Sequence, residues 1–112
     1  MKVSIIMCMF DFSRTVRHMS MAAVSNIRRF TDMEDYELIL IDNVPKFPFR
    51  DDYKVLDMDQ ITFVVNEKDN GYYGSLNQGA ALAKGKYLCF IQGDVFVHEG
   101  WLKNMVYYLE HG

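Results

Sequence analysis

Four apolar runs in this chain each end in polar residues that could meet a ligand. The ends are Phe10-Asp11, Asp42-Asn43, Asn66-Glu67-Lys68 and Gln92-Gly93-Asp94. The last is the most informative. Lys86-Tyr-Leu-Cys-Phe-Ile91 reads as a buried strand, and the chain then turns abruptly to a carboxylate at Asp94. A hard divalent cation or a charged substrate group is the natural partner of such an acid. The plainer alternatives are turn chemistry: Asp94 as a loop acid, Asp42 in an Asx-turn, Asp11 as a helix cap. Four polar ends on one rim are harder to attribute to turns than any one alone.

Strands and helices must bring those ends together. Val3–Phe10 is apolar at nearly every position, which suits a parallel strand covered on both faces. Ser13 can cap the next helix. Val16, Met19, Ala23, Ile27 and Phe30 recur on one of its faces, with Arg14, Arg17, Arg28 and Arg29 elsewhere. Tyr36–Ile41 is a second buried strand. Residues 44–59 hold both prolines and follow neither period, so they read as a loop with one helical turn near Tyr53–Met58. Ile61–Val65 is a third strand, β-branched and apolar.

Gly71 and Gly74 then punctuate a loop. Ser75 caps a helix predicted over Leu76–Lys84, with Gly85 as its stop. Gly79, Ala80, Ala81 and Ala83 let that helix approach a sheet closely. Lys86–Ile91 is the fourth strand. A last helix over Glu99–Leu109 presents Trp101, Leu102, Met105, Val106 and Leu109. This order predicts an α/β fold: a mainly parallel sheet of about four strands, right-handed crossovers and helices on both faces. If the first and fourth strands are neighbours, the crevice between them is a topological switch point, where open α/β sheets bind ligands.

Composition narrows the function. At 112 residues the chain is one domain or part of one. A net charge of -3 supplies no basic field for nucleic acid. No apolar run is long enough to span a bilayer, and Val3–Phe10 is too short for a signal peptide, so the expected location is cytoplasmic. Cys8 and Cys89 sit in apolar runs and read as buried free thiols, with a disulfide as the alternative. His18, His98 and His111 have no metal-ligand spacing. Trp101 reads as a core anchor, with a sugar platform as the alternative. The first turn, Met9–Arg14, has no glycine for a pyrophosphate cradle. For a diphosphate ligand that turn would not be the main cradle; a divalent cation is the alternative way to neutralise it, and Asp94 is placed to hold one.

Taken in order, the residues resemble family 2 glycosyltransferases of the GT-A fold, in their N-terminal half. The matching pieces are Val3-Ser-Ile-Ile6, Glu37-Leu-Ile-Leu-Ile-Asp-Asn43, Asn66 with Gly71, and Asn77-Gln-Gly-Ala-Ala-Leu-Ala-Lys-Gly-Lys-Tyr87. Phe90-Ile-Gln-Gly-Asp-Val95 and Glu99-Gly-Trp-Leu102 complete the set. The resemblance implies a Rossmann-like half-domain over residues 1–112 that binds a nucleoside-diphosphate sugar, commonly UDP-linked. Its sheet order would be third, second, first, fourth. Phe10 and Asp11 would border the base and ribose. Asp42 would hydrogen-bond the base, Lys68 would lie near the nucleotide, and Asn77 would support the loop under the donor. Asp94 would hold Mn2+ or Mg2+.

The chain departs from the family pattern at Gln92 and Gly93, where acids are usual, and at Val44-Pro45, where Ser and Asp are common. Gln92 would then contact ribose, and metal binding would rest on Asp94 alone. The resemblance also implies transfer to a carbohydrate or other hydroxyl acceptor with inversion. The general base and the acceptor half are expected beyond Gly112, so the chain alone is expected to be inactive. The full-length protein would work at the inner membrane face. Apolar surface left by the absent half would favour homo-oligomers. Two alternatives remain: a nucleotidyltransferase, which would show a glycine- and basic-rich first loop, and a non-catalytic nucleotide-binding or assembly module.

Overall fold

Runs that are apolar at almost every position demand cover on both sides, and they receive it at the centre of the sheet. The computed structural model describes residues 2–10, 13–31, 36–44, 46, 60–92 and 95–112. The strands are β1 (Val3–Met9), β2 (Tyr36–Asn43), β3 (Ile61–Asn66) and β4 (Tyr87–Gln92). The helices are α1 (Arg14–Arg29), α2 (Gly71–Leu82) and α3 (Trp101–His111). All strand pairs are parallel, in the order β3-β2-β1-β4. The first and fourth strands are therefore neighbours, and the switch point lies between them.

Alternation along the strands divides two cores. Ile5, Met7 and Met9 of β1 and Leu38 and Leu40 of β2 pack with Ala23, Val24 and Ile27 of α1 and with Trp101, Leu102 and Val106 of α3. Ile6, Ile39 and Ile41 face the other way, toward Leu76 and Ala80 of α2. Each fully buried Leu or Ile contributes roughly 1.5–3 kcal/mol, so the two central strands carry most of the stability. Gly79 lets α2 sit close: a Cβ there would lie 2.5 Å from Ile6 Cγ2. That helix covers β1 and β2 but leaves Leu88 and Phe90 of edge strand β4 about half exposed.

The N-terminal edge of the sheet is fastened by a buried carboxylate. Glu37 Oε2 accepts from the Ser4 hydroxyl at 2.6 Å and from the Lys84 amide at 2.7 Å. Ser4 Oγ accepts in turn from the Gly85 amide at 2.8 Å. A buried charge is tolerable only with such partners. The knot ties β1, β2 and the α2–β4 connection at the end opposite the polar rim.

The predicted class, sheet order and two-sided helix cover match the structure, and several local details do not. Ser13 caps α1 as expected, its Oγ accepting from the Val16 amide at 3.1 Å. The buried stripe of α1 is Ser20, Ala23, Val24 and Ile27, with Met19 exposed. Met105 and Leu109 of α3 are likewise exposed, while Trp101, Leu102 and Val106 are buried. Helix α2 begins four residues earlier than Ser75 and ends at Leu82, and Ser75 is buried within it instead of capping it. Gly85 lies beyond the Ala83 C-cap, pressed against the Ser4 backbone. Cys8 and Cys89 are free thiols, and burial pushes both up in pKa. The turn expected at Tyr53–Met58 lies outside the described residues, as do Asp11, Gly93 and Asp94.

Candidate functional site

Register brings the strand ends level. Met9 pairs with Asp42, Cys8 with Gln92, and Asn43 with Asn66. Asp42 and Gln92 thus flank β1 on its two sides, roughly 10 Å apart at about 4.8 Å per strand. This is the carboxyl edge of the sheet, on both sides of the switch point.

One half of the rim is built by a network of carboxamides. Asn43 is buried at the end of β2. Its Nδ2 donates to Asp69 Oδ1 at 2.9 Å. Its Oδ1 accepts from Asn66 Nδ2 at 3.2 Å and from the Asn70 amide at 3.1 Å. Asn66 and Gln78 exchange two further bonds, each 2.9 Å. Asp69 Oδ1 also accepts from the Gly71 amide at 2.8 Å. Gly71 takes φ +69°, a conformation that glycine adopts without a steric penalty. The network fixes the 66–70 loop and the first turn of α2 against the end of β2. The Asn43 hydrogen bond, then that from Gly71, hold the Asp69 carboxyl below its ordinary range. Asp69 is therefore a committed anion at neutral pH.

Next to this network the chain is strained. Val44 has φ 48°, in the left-handed region that a β-branched residue seldom adopts. It is held there partly by its amide, which donates to the Asn66 carbonyl at 2.9 Å. Strain of this kind gathers at ligand sites. Phe10, Asn43, Val44 and Asp69 line a cavity of about 250 Å³. The Phe10 ring lies 6.2 Å from that of Tyr72, and Tyr73 beside it is largely exposed. A second cleft, about 530 Å³, runs along residues 65–70 and includes Lys68.

The other half of the rim is the exit of β4. The Val95 amide donates to the Gln92 carbonyl at 3.2 Å, so the ends flanking residues 93 and 94 are held together. Further on, Asn26 of α1 binds Val97 through both backbone groups.

The residues singled out from sequence stand as follows. Phe10 lines the cavity. Asp42 has no exposed surface. Lys68 and Gln92 are exposed on the rim. Asn77 is exposed on α2, and among the described residues no hydrogen bond joins it to the carboxamide network; Gln78 holds the loop instead. Sequence reasoning missed Asn43 as a hub, Asp69, Tyr72 and Gln78. The one local signal was Asp69-Asn70-Gly71, a turn-forming run whose acid precedes a glycine.

Among the described residues, no three His, Cys, Asp or Glu side chains converge as a metal cluster. Asp42 is sealed and Asp69 is engaged by two donors. Asp94, the acid expected from the sequence to hold a cation, lies outside the described residues.

The rim, sheet order and switch point invite comparison with known proteins. The family model described as Glycosyl transferase family 2 matches residues 4–112. The chain belongs to glycosyl transferase family 2. Its fold is that of GT-A glycosyltransferase domains. The chain is similar to S. aureus TarS residues 1–349, with a TM-score of 0.80 and 17% identity over 98% of this chain and 32% of that one. TarS has also been seen with UDP-GlcNAc, at a TM-score of 0.77 and 16% identity over 98% of this chain and 31% of that one. The mannosyltransferase PcManGT from Pyrobaculum calidifontis, in complex with GDP-Man and Mn2+, aligns with a TM-score of 0.83 and 18% identity over 96% of this chain and 32% of that one.

By sequence, a 46-residue stretch is 39% identical to a putative polypeptide N-acetylgalactosaminyltransferase 13 of Drosophila melanogaster, covering 41% of this chain and 8% of that protein. The chain thus spans about a third of the length of these solved structures. No helix of the described residues is long and apolar enough to cross a membrane.

Proposed function

We propose that this chain is the donor-binding half of a glycosyltransferase that moves a sugar from a UDP-linked donor to a hydroxyl acceptor with inversion. The observation that carries the reading is the cavity at the carboxyl edge of the sheet, lined by Phe10, Asn43, Val44 and Asp69. It has an aromatic wall, a fixed anion and a strained backbone, on the β2 side of the topological switch point. Phe10, with Asp11, borders the base and ribose. Asp42 reaches the base only if the rim above it rearranges on binding, because it has no exposed surface here. Lys68, exposed within the 66–70 loop, can meet phosphate. Asn77 supports that loop only indirectly, through its helix.

On the other side of the switch point, Gln92 and Gly93 meet the ribose and Asp94 holds Mn2+ or Mg2+ together with the diphosphate. The bound cation would neutralise negative charge developing on the departing diphosphate. The protein's own part is to fix the nucleotide between the two halves of the rim and exclude other orientations. The acceptor half and its general base are assigned to sequence outside these residues, which cover a third of the solved relatives. Leu88 and Phe90 on β4 form an apolar face that such a half could cover.

Calorimetry with UDP and GDP, each with and without Mn2+, tests the reading. The expected result is weak, Mn2+-dependent binding that favours UDP, with no sugar transfer by this chain alone. Asp94→Ala should lose the Mn2+-dependent part. Unchanged binding by that variant would sink the metal role, and absence of any nucleotide binding would sink the whole reading.

A further inference from the structure

Of the described residues that line the cavity beside Phe10, only Asp69 carries charge. The two oxygens of its carboxylate are used unequally. Oδ1 accepts from Asn43 Nδ2 at 2.9 Å and from the Gly71 amide at 2.8 Å. Among the described residues, Oδ2 takes no hydrogen bond and no cation pairs with the carboxylate. The two donors on Oδ1 also hold the carboxyl group in one orientation, so a ligand that meets Oδ2 has less to order than it would with a mobile acid.

The other polar groups at the cavity are engaged. Asn43 makes three bonds within the carboxamide network, and the Val44 amide donates to the Asn66 carbonyl. Asp42, the acid at the end of β2, has no exposed surface. An ionised carboxylate accepts hydrogen bonds and donates none, so what Asp69 meets in the cavity must present an N–H or O–H. Phe10 supplies a partly exposed ring on which a flat base can stack.

We infer that Asp69 is a specificity-determining residue: its open oxygen accepts the ring N–H of a base stacked on Phe10, so the site takes uracil and refuses cytosine. This rests on the donor-site reading above. Uracil N3 carries a hydrogen between two carbonyls. Cytosine N3 is an acceptor, and its lone pair would face a carboxylate oxygen. The two nucleotides share ribose and diphosphate, so the difference between their affinities isolates the base. A bond from Asp69 to ribose or to a cation would act on both alike.

Calorimetry at neutral pH with UDP and CDP, both at one Mn2+ concentration, compares the parent chain with Asp69→Asn. Asparagine keeps an oxygen for Asn43 and Gly71 and places an NH2 group where Oδ2 stood, a donor in place of an acceptor. The parent should bind UDP at least about tenfold more tightly than CDP, where tenfold corresponds to about 1.4 kcal/mol. In Asp69→Asn that preference should fall below about twofold or reverse, because the new amide can donate to cytosine N3. Loss of the anion changes the repulsion felt by either diphosphate, and the ratio cancels that effect. The parent chain alone gives a second readout, independent of how the variant folds: the Asp69 carboxyl carbon should shift in NMR on saturation with UDP, and shift less with CDP.

Equal binding of both nucleotides by the parent, or an unchanged preference in Asp69→Asn, would overturn the role of Asp69 and leave the donor site standing. An equal loss of both nucleotides in Asp69→Asn would overturn it too, and would assign the carboxylate to the ribose or cation that they share. A parent chain that binds neither nucleotide would defeat the donor-site reading, and the role of Asp69 with it.

Discussion

Removing the Asn43 side chain should dismantle half of the candidate site, and the structure sets the size of the effect. Asn43→Ala deletes three hydrogen bonds, to Asp69, Asn66 and the Asn70 amide. Each is worth about 1 kcal/mol net. Two considerations lower the sum. Asn66 Nδ2 keeps Gln78 Oε1 as a partner, and Asp69 and Asn70 are exposed, so water can replace what they lose. The expected loss is therefore about 2 kcal/mol, well below the cost of stranding three buried groups.

For a domain of this size that corresponds to a fall in Tm of roughly 10 °C. Urea unfolding at neutral pH measures it. An NMR titration of the Asp69 carboxyl supplies a second, local readout. In the parent chain Asp69 titrates below the usual range, because Asn43 and then Gly71 donate to it. A depressed folded-state pKa means that this contribution is present at neutral pH and is lost as pH falls through the folded value. In Asn43→Ala the titration should move up, and the acid dependence should shrink.

Asn43→Asp inverts the sign. It places a second carboxylate where the amide stood, 2.9 Å from Asp69 Oδ1, so like charges oppose folding at neutral pH and protonation relieves them. Its stability relative to the parent should improve as pH falls. An Asn43→Ala variant with unchanged Tm and unchanged Asp69 titration would refute the hub.

Three further outcomes follow from the packing. Glu37→Ala strands the Ser4 hydroxyl and the Lys84 amide and should cost about 2–4 kcal/mol in urea unfolding, with Glu37→Gln costing roughly half. Gly79→Ala drives a methyl to 2.5 Å from Ile6 Cγ2. The overpacking cost of about 1–3 kcal/mol outweighs about 1 kcal/mol gained in helix propensity, for a net loss near 1 kcal/mol by thermal melting. Val44→Asn accepts the positive φ more readily and should raise Tm by about 5 °C, a gain near 1 kcal/mol; a fall would show that the valine side chain compensates for its strain.

The fold was largely written in local pattern, and the site was not. Continuous apolar runs required strands covered on both faces, and their alternation with helical spacing required a parallel sheet. The polar residues that end each run had to fall on one edge, because parallel strands share a direction. Ser13 as a cap and Gly79 as a close-packing residue could be read for the same reason: each acts on near neighbours or on a face the pattern defines. The phase of α1 and α3 was less secure, since Met19, Met105 and Leu109 are apolar yet exposed, and apolarity alone does not say which side the sheet is on.

What the tertiary structure decided is the carboxamide network. Asn43 stands 26 residues from Asp69 and 23 from Asn66, and becomes a hub only because β2 and β3 pair with their ends level. That pairing converts Gly71–Gly74, which reads as a loop, into the first turn of α2, because Asp69, Asn66 and Gln78 hold the turn in place. The clamp from Asn26 to Val97 is of the same kind: a backbone-like contact across 71 residues that no period or spacing announces.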